Sequence, residues 1–262
     1  MAIKLGQIPY LNSVLFYFLF EDEARASATD EAMELVPLVP RQLSGAVVED
    51  GVDAGPVPLV TCWEIEDRYE PLGAHCIATA DKARSILLFS KRPFTALDGA
   101  AIGVTAETST SVRLLKVLLA HYYGVTPREW VHLDWPNNDA FLLIGDEALI
   151  HRRGVKDYPH VADLGEVWRA WTGLPFVFAR WMVRRDLDGE VKRALDRRLA
   201  RSVREARKQL DAIVAPRAKD LGMTTAEMRE YLEGFAFSAG AAEHEAMERF
   251  RQLDAATRER AA

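Results

Sequence analysis

The feature that most restricts the fold is an alternation of short apolar runs with amphipathic segments, which breaks off, restarts and then gives way to a helical tail. Residues 4–8 read as a first strand, followed by the loop YLNS, in which Asn12 or Ser13 can cap a buried helix over residues 14–20. MELVPLV reads as a second strand, PRQLSGAVVEDG as a short helix ending at Gly51, and VDAGPVPLV as a third strand entering a proline-marked loop. HCIATADKARSILLFS holds two strand-like runs split by a polar turn. Strands alternating with helices predict a largely parallel sheet covered on both faces.

After SKRPFTALDG the alternation begins again. AAIGVTA is strand-like, residues 109–123 form a helical pattern closed by Gly124, and REWVHLDW is strand-like. AFLLIGDEALI reads as a very apolar strand with a turn at Gly145-Asp146. VADLGEVWRAWTG reads as a helix stopped by Gly173 and Pro175, with PFVFARWMV as the next strand. From Asp186 onward the pattern is helical: Val191, Leu195, Leu199, Val203, Ala206, Leu210 and Ile213 recur at helical spacing, with Arg and Lys opposite. TTAEMREYL, capped by Thr224 or Thr225, and GAAEHEAMERFRQL supply the last two helices. One α/β block is thus inserted in another. The expected lobes are residues 1–89 with 181–262, and residues 90–180, with the helical C-terminal segment packed on the first. Two lobes joined by two crossings can hinge, and the cleft between them is the expected ligand site.

Composition removes several function classes. A net charge of −6 offers no bulk field for nucleic acid or an anionic membrane, and the basic face after residue 190 reads as a solvated helix face. The apolar run at residues 14–20 is too short to span a bilayer and lacks the basic start and cleavage site of a signal peptide, so a cytoplasmic location is expected. Without an export signal, Cys62 and Cys76 are expected as free buried thiols. The histidines are scattered with no HExxH, and there is no GxGxxG, P-loop or GxSxG elbow. An enzyme of this sequence is expected to work without metal, nucleotide cofactor or covalent serine chemistry.

Polar residues then stand out against the apolar frame. TAETSTSVRLL places Thr108, Ser109, Thr110 and Ser111 where a helix follows a strand, so hydroxyls stand beside amides that lack helical partners. One cap needs one such residue, and the surplus suits a carboxylate ligand, with Glu107 able to repel an anion unless it points away. Asn12 lies beyond the first strand, where α/β folds hold ligand contacts, and serves equally as a cap or turn residue. Ser85 opens the strand leading into the first crossing and reads as an ordinary strand serine or a cleft residue. Asp146 reads first as a turn residue.

YLNS, SILLFS, TSTSVRLL, LLIGDEAL and DLGEVWRAWTGLPFVFARW occur in this order, with YLEGFAFSAG near the end. Over residues 3–250 this series resembles the chorismate dehydratase family of the futalosine route to menaquinone. The resemblance implies a two-lobe α/β fold like type II periplasmic solute-binding proteins, which agrees with the block pattern. It also implies a cofactor-free hydro-lyase converting chorismate to 3-[(1-carboxyvinyl)oxy]benzoate. Carried over by motif, Asn12 and Ser85 would be catalytic, while Ser109, Thr110, Ser111 and Asp146 would bind substrate or shape its site. The valine at position 14 departs from the more proline-rich loop expected of the family and leaves Asn12 in place.

Three other readings are discriminated by sequence features. The related dihydroxynaphthoate synthase of the same route is expected to carry a different threonine-rich helix start and a cleft histidine, and no histidine here stands in such a place. A non-catalytic binder of small organic anions would carry a signal peptide or a lipid-attachment cysteine near its start. A ligand-sensing domain would need a tethered DNA-binding segment. The resemblance implies chorismate as the small-molecule partner, and the helical tail suits a homodimer interface as well as packing on its own lobe.

Overall fold

The computed structural model describes residues 2–20, 33–106, 108–134 and 136–261. The chain begins with β1 (Ile3–Gln7), α1 (Val14–Tyr17), β2 (Met33–Pro37), α2 (Pro40–Val48), β3 (Ala54–Pro58), α3 (Leu59–Cys62) and β4 (Tyr69–Thr79). Its middle carries β5 (Ile86–Ser90), β6 (Ala101–Val104), α4 (Thr110–Val117), β7 (Glu129–His132), β8 (Ala140–Ile144), α5 (Gly145–Ile150), β9 (His160–Asp163) and α6 (Leu164–Thr172). It returns through β10 (Phe176–Arg184), α7 (Gly189–Arg207), α8 (Leu210–Ala218), α9 (Thr225–Glu233) and β11 (Phe235–Ser238), and closes with α10 (Ala241–Ala261). These form two compact units, Met1–Ala78 with Val177–Gly240, and Thr79–Phe176 with Ala241–Ala262. The first unit therefore gives way before residue 89, because β5 is hydrogen-bonded on both sides by strands of the second unit, β8 and β9.

In the first unit six strands run in the order β11-β4-β10-β3-β1-β2. β1 is parallel to β2 and β3, while β10 is antiparallel to β3 with Ala179 opposite Pro58. The sheet is mixed rather than largely parallel, because β10 enters from the inserted unit against the direction of the strand beside it. On one face Leu43 and Val47 of α2 pack with Ile8, Val57 and Met182. A Cβ on Gly6 would stand 2.4 Å from Leu43 Cδ1, so the glycine lets α2 sit close to β1. Side chains alternate along β10, so Trp181 faces the other way. There Phe16 meets Trp181 edge-on at 5.4 Å and Phe237 at 5.5 Å. α7 is tied to this face by Ser202, whose Oγ accepts from the Leu19 amide at 3.1 Å and donates to the Leu15 carbonyl at 2.9 Å.

The tail is not purely helical. Phe235 and Phe237 alternate with more exposed neighbours and are buried, so this four-residue run forms β11 at the edge of the sheet. Just before it, Thr224 rather than Thr225 caps α9, in a reciprocal box with Glu227.

In the second unit the order is β7-β6-β8-β5-β9, with β6 parallel to β7 and β8, and β5 antiparallel to β8 and β9. Every residue of β8 is buried, as its unbroken apolar sequence requires of a central strand. Phe89 and Phe141 stack at 5.2 Å, with Tyr158 edge-on to Phe141 at 4.7 Å. Trp168 of α6 meets Phe176 at 5.3 Å and Phe250 of α10 at 5.9 Å. The last helix thus belongs to the second unit, which corrects the expectation that the whole C-terminal segment packs on the first lobe. Its polar attachment is Asp254, which accepts two hydrogen bonds from Arg113 of α4. Beyond α4 the helix widens into a π-helical segment, Leu118–Tyr123, ended by Gly124 at φ 69°.

Candidate functional site

In the second unit the register gathers several candidates at one sheet edge. Val104 closes β6 opposite Leu142, Ile144 closes β8 opposite Ile86, and Asp163 closes β9 opposite Leu87. The carboxyl ends of β6, β8 and β9 therefore share an edge with the start of β5. Open α/β sheets hold ligands outside such ends. Thr105 and the start of α4 extend from β6 at this edge, and Thr108, Thr110 and Ser111 are all buried. The hydroxyl cluster is thus not a solvent-facing decoration. Nor is it spent on capping: Ser109 occupies the cap position and no side chain makes the capping bond. The Thr105 Oγ1 atom is buried and has no hydrogen-bond partner. Glu107 lies outside the described residues.

Ser85 is wholly buried, donates to the Ala83 carbonyl at 3.3 Å, and its own carbonyl accepts from the Gly145 amide at 2.8 Å. That bond places Ser85 beside Asp146. Gly145-Asp146 is not a hairpin turn, because α5 starts at Gly145 and Asp146 occupies its first turn. A carboxylate there is favoured by the helix amides and dipole. The segment before Ser85 is held by Asp163, whose carboxylate accepts from the Ala83 and Arg84 amides at 3.0 and 2.5 Å. The same carboxylate caps α6 through the Gly165 and Glu166 amides at 2.9 and 3.2 Å. Burial pushes the Asp163 carboxyl up, against the downward pull of these four amides. Arg84 has φ 59°, a left-handed conformation that costs a non-glycine residue about 1–3 kcal/mol and needs such external support.

Asn12 belongs to the first unit, in a 3-10 turn that follows β1, and its Oδ1 atom is buried without a hydrogen-bond partner. Neither expected cap acts through its side chain: Ser13 instead donates to the Ile8 and Tyr10 carbonyls at 2.5 and 2.8 Å, tightening the turn that presents Asn12. The regular α-helix there covers only Val14–Tyr17. Cys62 and Cys76 are free and buried, and burial raises the Cys62 thiol to about 12, which makes it a poor nucleophile. His75 is buried and bonds Asp196 at 2.8 Å. Among the described residues no three His, Cys, Asp or Glu side chains gather as a metal site. No described helix is long and apolar enough to cross a membrane.

A family described as menaquinone biosynthesis matches residues 3–256. The chain belongs to this family. Chorismate dehydratase of Thermus thermophilus is 29% identical over 225 residues, covering 79% of this chain and 81% of that protein. Among solved structures, protein AF1704 from Archaeoglobus fulgidus superposes with a TM-score of 0.80 at 17% identity, covering 97% of each chain. The alkanesulfonate-binding protein SsuA from Xanthomonas axonopodis pv. citri gives 0.71 at 14% identity, covering 98% of this chain and 93% of that one. The chain thus has the periplasmic-binding-protein-like fold of the menaquinone biosynthesis family.

Two of the residues at the sheet edge of the second unit escaped sequence reasoning as contributors. Asp163 carried a usable signal, since an acid followed three residues later by Glu166 is a helix-start signature. Thr105 stood within the hydroxyl-rich TAETSTS stretch but was not assigned a contact, because its isolation depends on what surrounds it.

Proposed function

We propose that the protein is a hydro-lyase that removes water from chorismate to give 3-[(1-carboxyvinyl)oxy]benzoate. The observation that carries this reading is the family match over residues 3–256 together with a buried, unpartnered Asn12 carboxamide oxygen at the end of β1. The chemistry asks little of the protein. The proton to be removed sits on the ring carbon bearing the enol ether and is acidified through the ring double bond by the ring carboxylate. The C–H pair enters the ring, the neighbouring hydroxyl departs, and the ring becomes aromatic. What remains for the enzyme is to orient the breaking bonds and stabilise the extended enolate.

In this reading Asn12 Oδ1 accepts from the substrate hydroxyl, and the same amide's NH2 steadies the departing oxygen. An amide is not basic near neutral pH, so Asn12 is not the proton acceptor; the substrate's enolpyruvyl carboxylate is close enough to its own ring proton to serve. Ser85 is assigned to hydrogen-bond the substrate from the start of β5. Ser109, Thr110 and Ser111 are assigned to receive a carboxylate at the start of α4, where Thr105 adds a hydroxyl. Asp146 is assigned to shape the Ser85 loop. The test incubates purified protein with chorismate and follows the mixture by mass spectrometry. Catalytic loss of one water is expected, with Asn12→Ala slowed by about 100-fold or more, the usual cost of removing an oriented transition-state contact. Binding without turnover would instead indicate a non-catalytic organic-anion binder, and unchanged turnover in Asn12→Ala would remove its assigned role.

A further inference from the structure

A guanidinium is charged at every accessible pH, and when it leaves water it needs an anion or a full set of acceptors. Arg180 is half-buried, and at its buried Nε atom it meets neither condition. It stands in β10, opposite Val57 of β3, and its Nε atom is buried with no hydrogen-bond partner. Arg184, on the same strand, pairs with Asp53 at 3.5 Å and also with Asp186. Arg185 pairs with Glu70 at 3.2 Å, and Arg68 with Asp50 at 2.7 Å. Among the described residues Arg180 has no ion pair. Its charge acts on Cys62, whose thiol burial holds at about 12, so that neighbour remains neutral and supplies no counter-charge.

Position gives this orphan a meaning. Leu5 lies opposite Ala54, and three residues further along β3 Val57 lies opposite Arg180. Ile8, three residues beyond Leu5, packs in the same core cluster as Val57. Asn12 follows four residues after Ile8, and Tyr10, between them, packs on the same core cluster as Val57, Cys62 and Met182. The first unit therefore carries an unpartnered acceptor and an unpartnered cationic donor at one end of the sheet. A ligand offering a hydroxyl and a carboxylate would satisfy both.

We propose that Arg180 anchors one carboxylate of the substrate through Nε–H and a terminal N–H, in the paired geometry that guanidinium and carboxylate share. This rests on the chorismate reading and adds to it a cationic contact in the first unit. The test measures steady-state kinetics on chorismate for the wild type, Arg180→Gln and Arg180→Lys, each checked for unchanged circular dichroism and melting. Loss of a desolvated charge pair is expected to raise KM about 30-fold or more in Arg180→Gln. Arg180→Lys keeps the charge and loses the fork, and is expected to recover only part of that loss. Should Arg180→Gln fail to fold, a several-fold rise of KM in Arg180→Lys alone supports the anchor. A wild-type KM in every folded variant overturns it while leaving the dehydratase reading intact. A wild type that does not turn over chorismate overturns the reading itself, and the anchor with it.

Discussion

Replacing Asp254 by alanine tests how the last helix is attached. The Asp254 side chain is 2% exposed, and the Arg113 side chain that faces it is 23% exposed. Arg113 Nε donates to Oδ1 at 2.5 Å and its terminal nitrogen to Oδ2, a two-point grip joining α10 to α4. Arg258, one turn further along α10 and 62% exposed, approaches Oδ2 at 3.5 Å. Removing a buried partner strands the opposite charge at a cost of about 3–5 kcal/mol. At about 2–4 °C per kcal/mol for a chain of this size, the melting temperature should fall by roughly 6–20 °C. Arg258→Ala is the internal control, because an exposed pair of this spacing is worth about 0.3–0.5 kcal/mol. The double variant Arg113→Met with Asp254→Leu should recover much of the loss, since apolar packing replaces a buried pair at little or no cost. Urea and thermal unfolding followed by circular dichroism give the numbers. A loss under about 1 kcal/mol in Asp254→Ala would mean that water already screens Arg113, and the pair would no longer explain why α10 belongs to the second unit.

Two further perturbations follow. Asp163→Ala strips a cap, a buried loop amide and a part-buried one of their acceptor and should cost about 3–5 kcal/mol. Asp163→Asn keeps an oxygen for three of the four amides, so it should melt near the wild type while lowering kcat on chorismate through a displaced Arg84 and Ser85; equal kcat at equal stability would refute that positioning role. Tyr69 donates to the Val52 carbonyl at 2.7 Å, and burial raises its phenol to about 12. The unfolded chain begins to release this proton near pH 10, so between pH 10 and 12 it binds fewer protons than the native state. Stability then falls with rising pH by up to about 1.4 kcal/mol per unit from this group. Tyr69→Phe should flatten that alkaline decline without abolishing it, because Tyr123 is raised to about 12 as well. Parallel curves for the two proteins above pH 10 would contradict the assignment.

What was legible in the sequence followed from periodicity and punctuation. The all-apolar AFLLI had to be a central strand, and Gly124 and Gly173 ended helices with positive φ as expected of glycine caps. What was not legible depended on partners distant in the chain. GDEALI reads as strand and turn by its apolar content, yet Gly145 at φ 60° and the acids of the first turn open a helix. The direction of β10 follows from where the chain re-enters, which local pattern does not encode. The side on which the last helix packs was decided by Phe250 meeting Trp168 and by Asp254 meeting Arg113, contacts separated by 82 residues or more in the sequence. In the candidate site the hydroxyl cluster was visible as composition, but its burial and the missing cap bond were not.

The buried polar atoms without partners sharpen what each unit can hold. Among the described residues they are Asn12 Oδ1, Arg180 Nε and Trp181 Nε1 in the first unit and Thr105 Oγ1 in the second. Native proteins leave few such atoms, because each forfeits a hydrogen bond that water would have supplied, at about 1–3 kcal/mol. Asn12 follows β1 and Thr105 follows β6, each at the carboxyl end of a parallel strand, and Arg180 of β10 lies opposite Val57, toward the carboxyl end of β3. In the first unit a carboxamide and a guanidinium ask for a small molecule rich in oxygen, and a diacid bearing a hydroxyl answers both. In the second unit the Thr105 hydroxyl near the start of α4 asks for a polar partner of the same kind. Polar groups prepared in this way would serve the proposed dehydration, whose driving force is aromatisation. They need only hold the substrate's own carboxylate and leaving hydroxyl in line, and any of these groups already satisfied by a protein partner would be lost to that task.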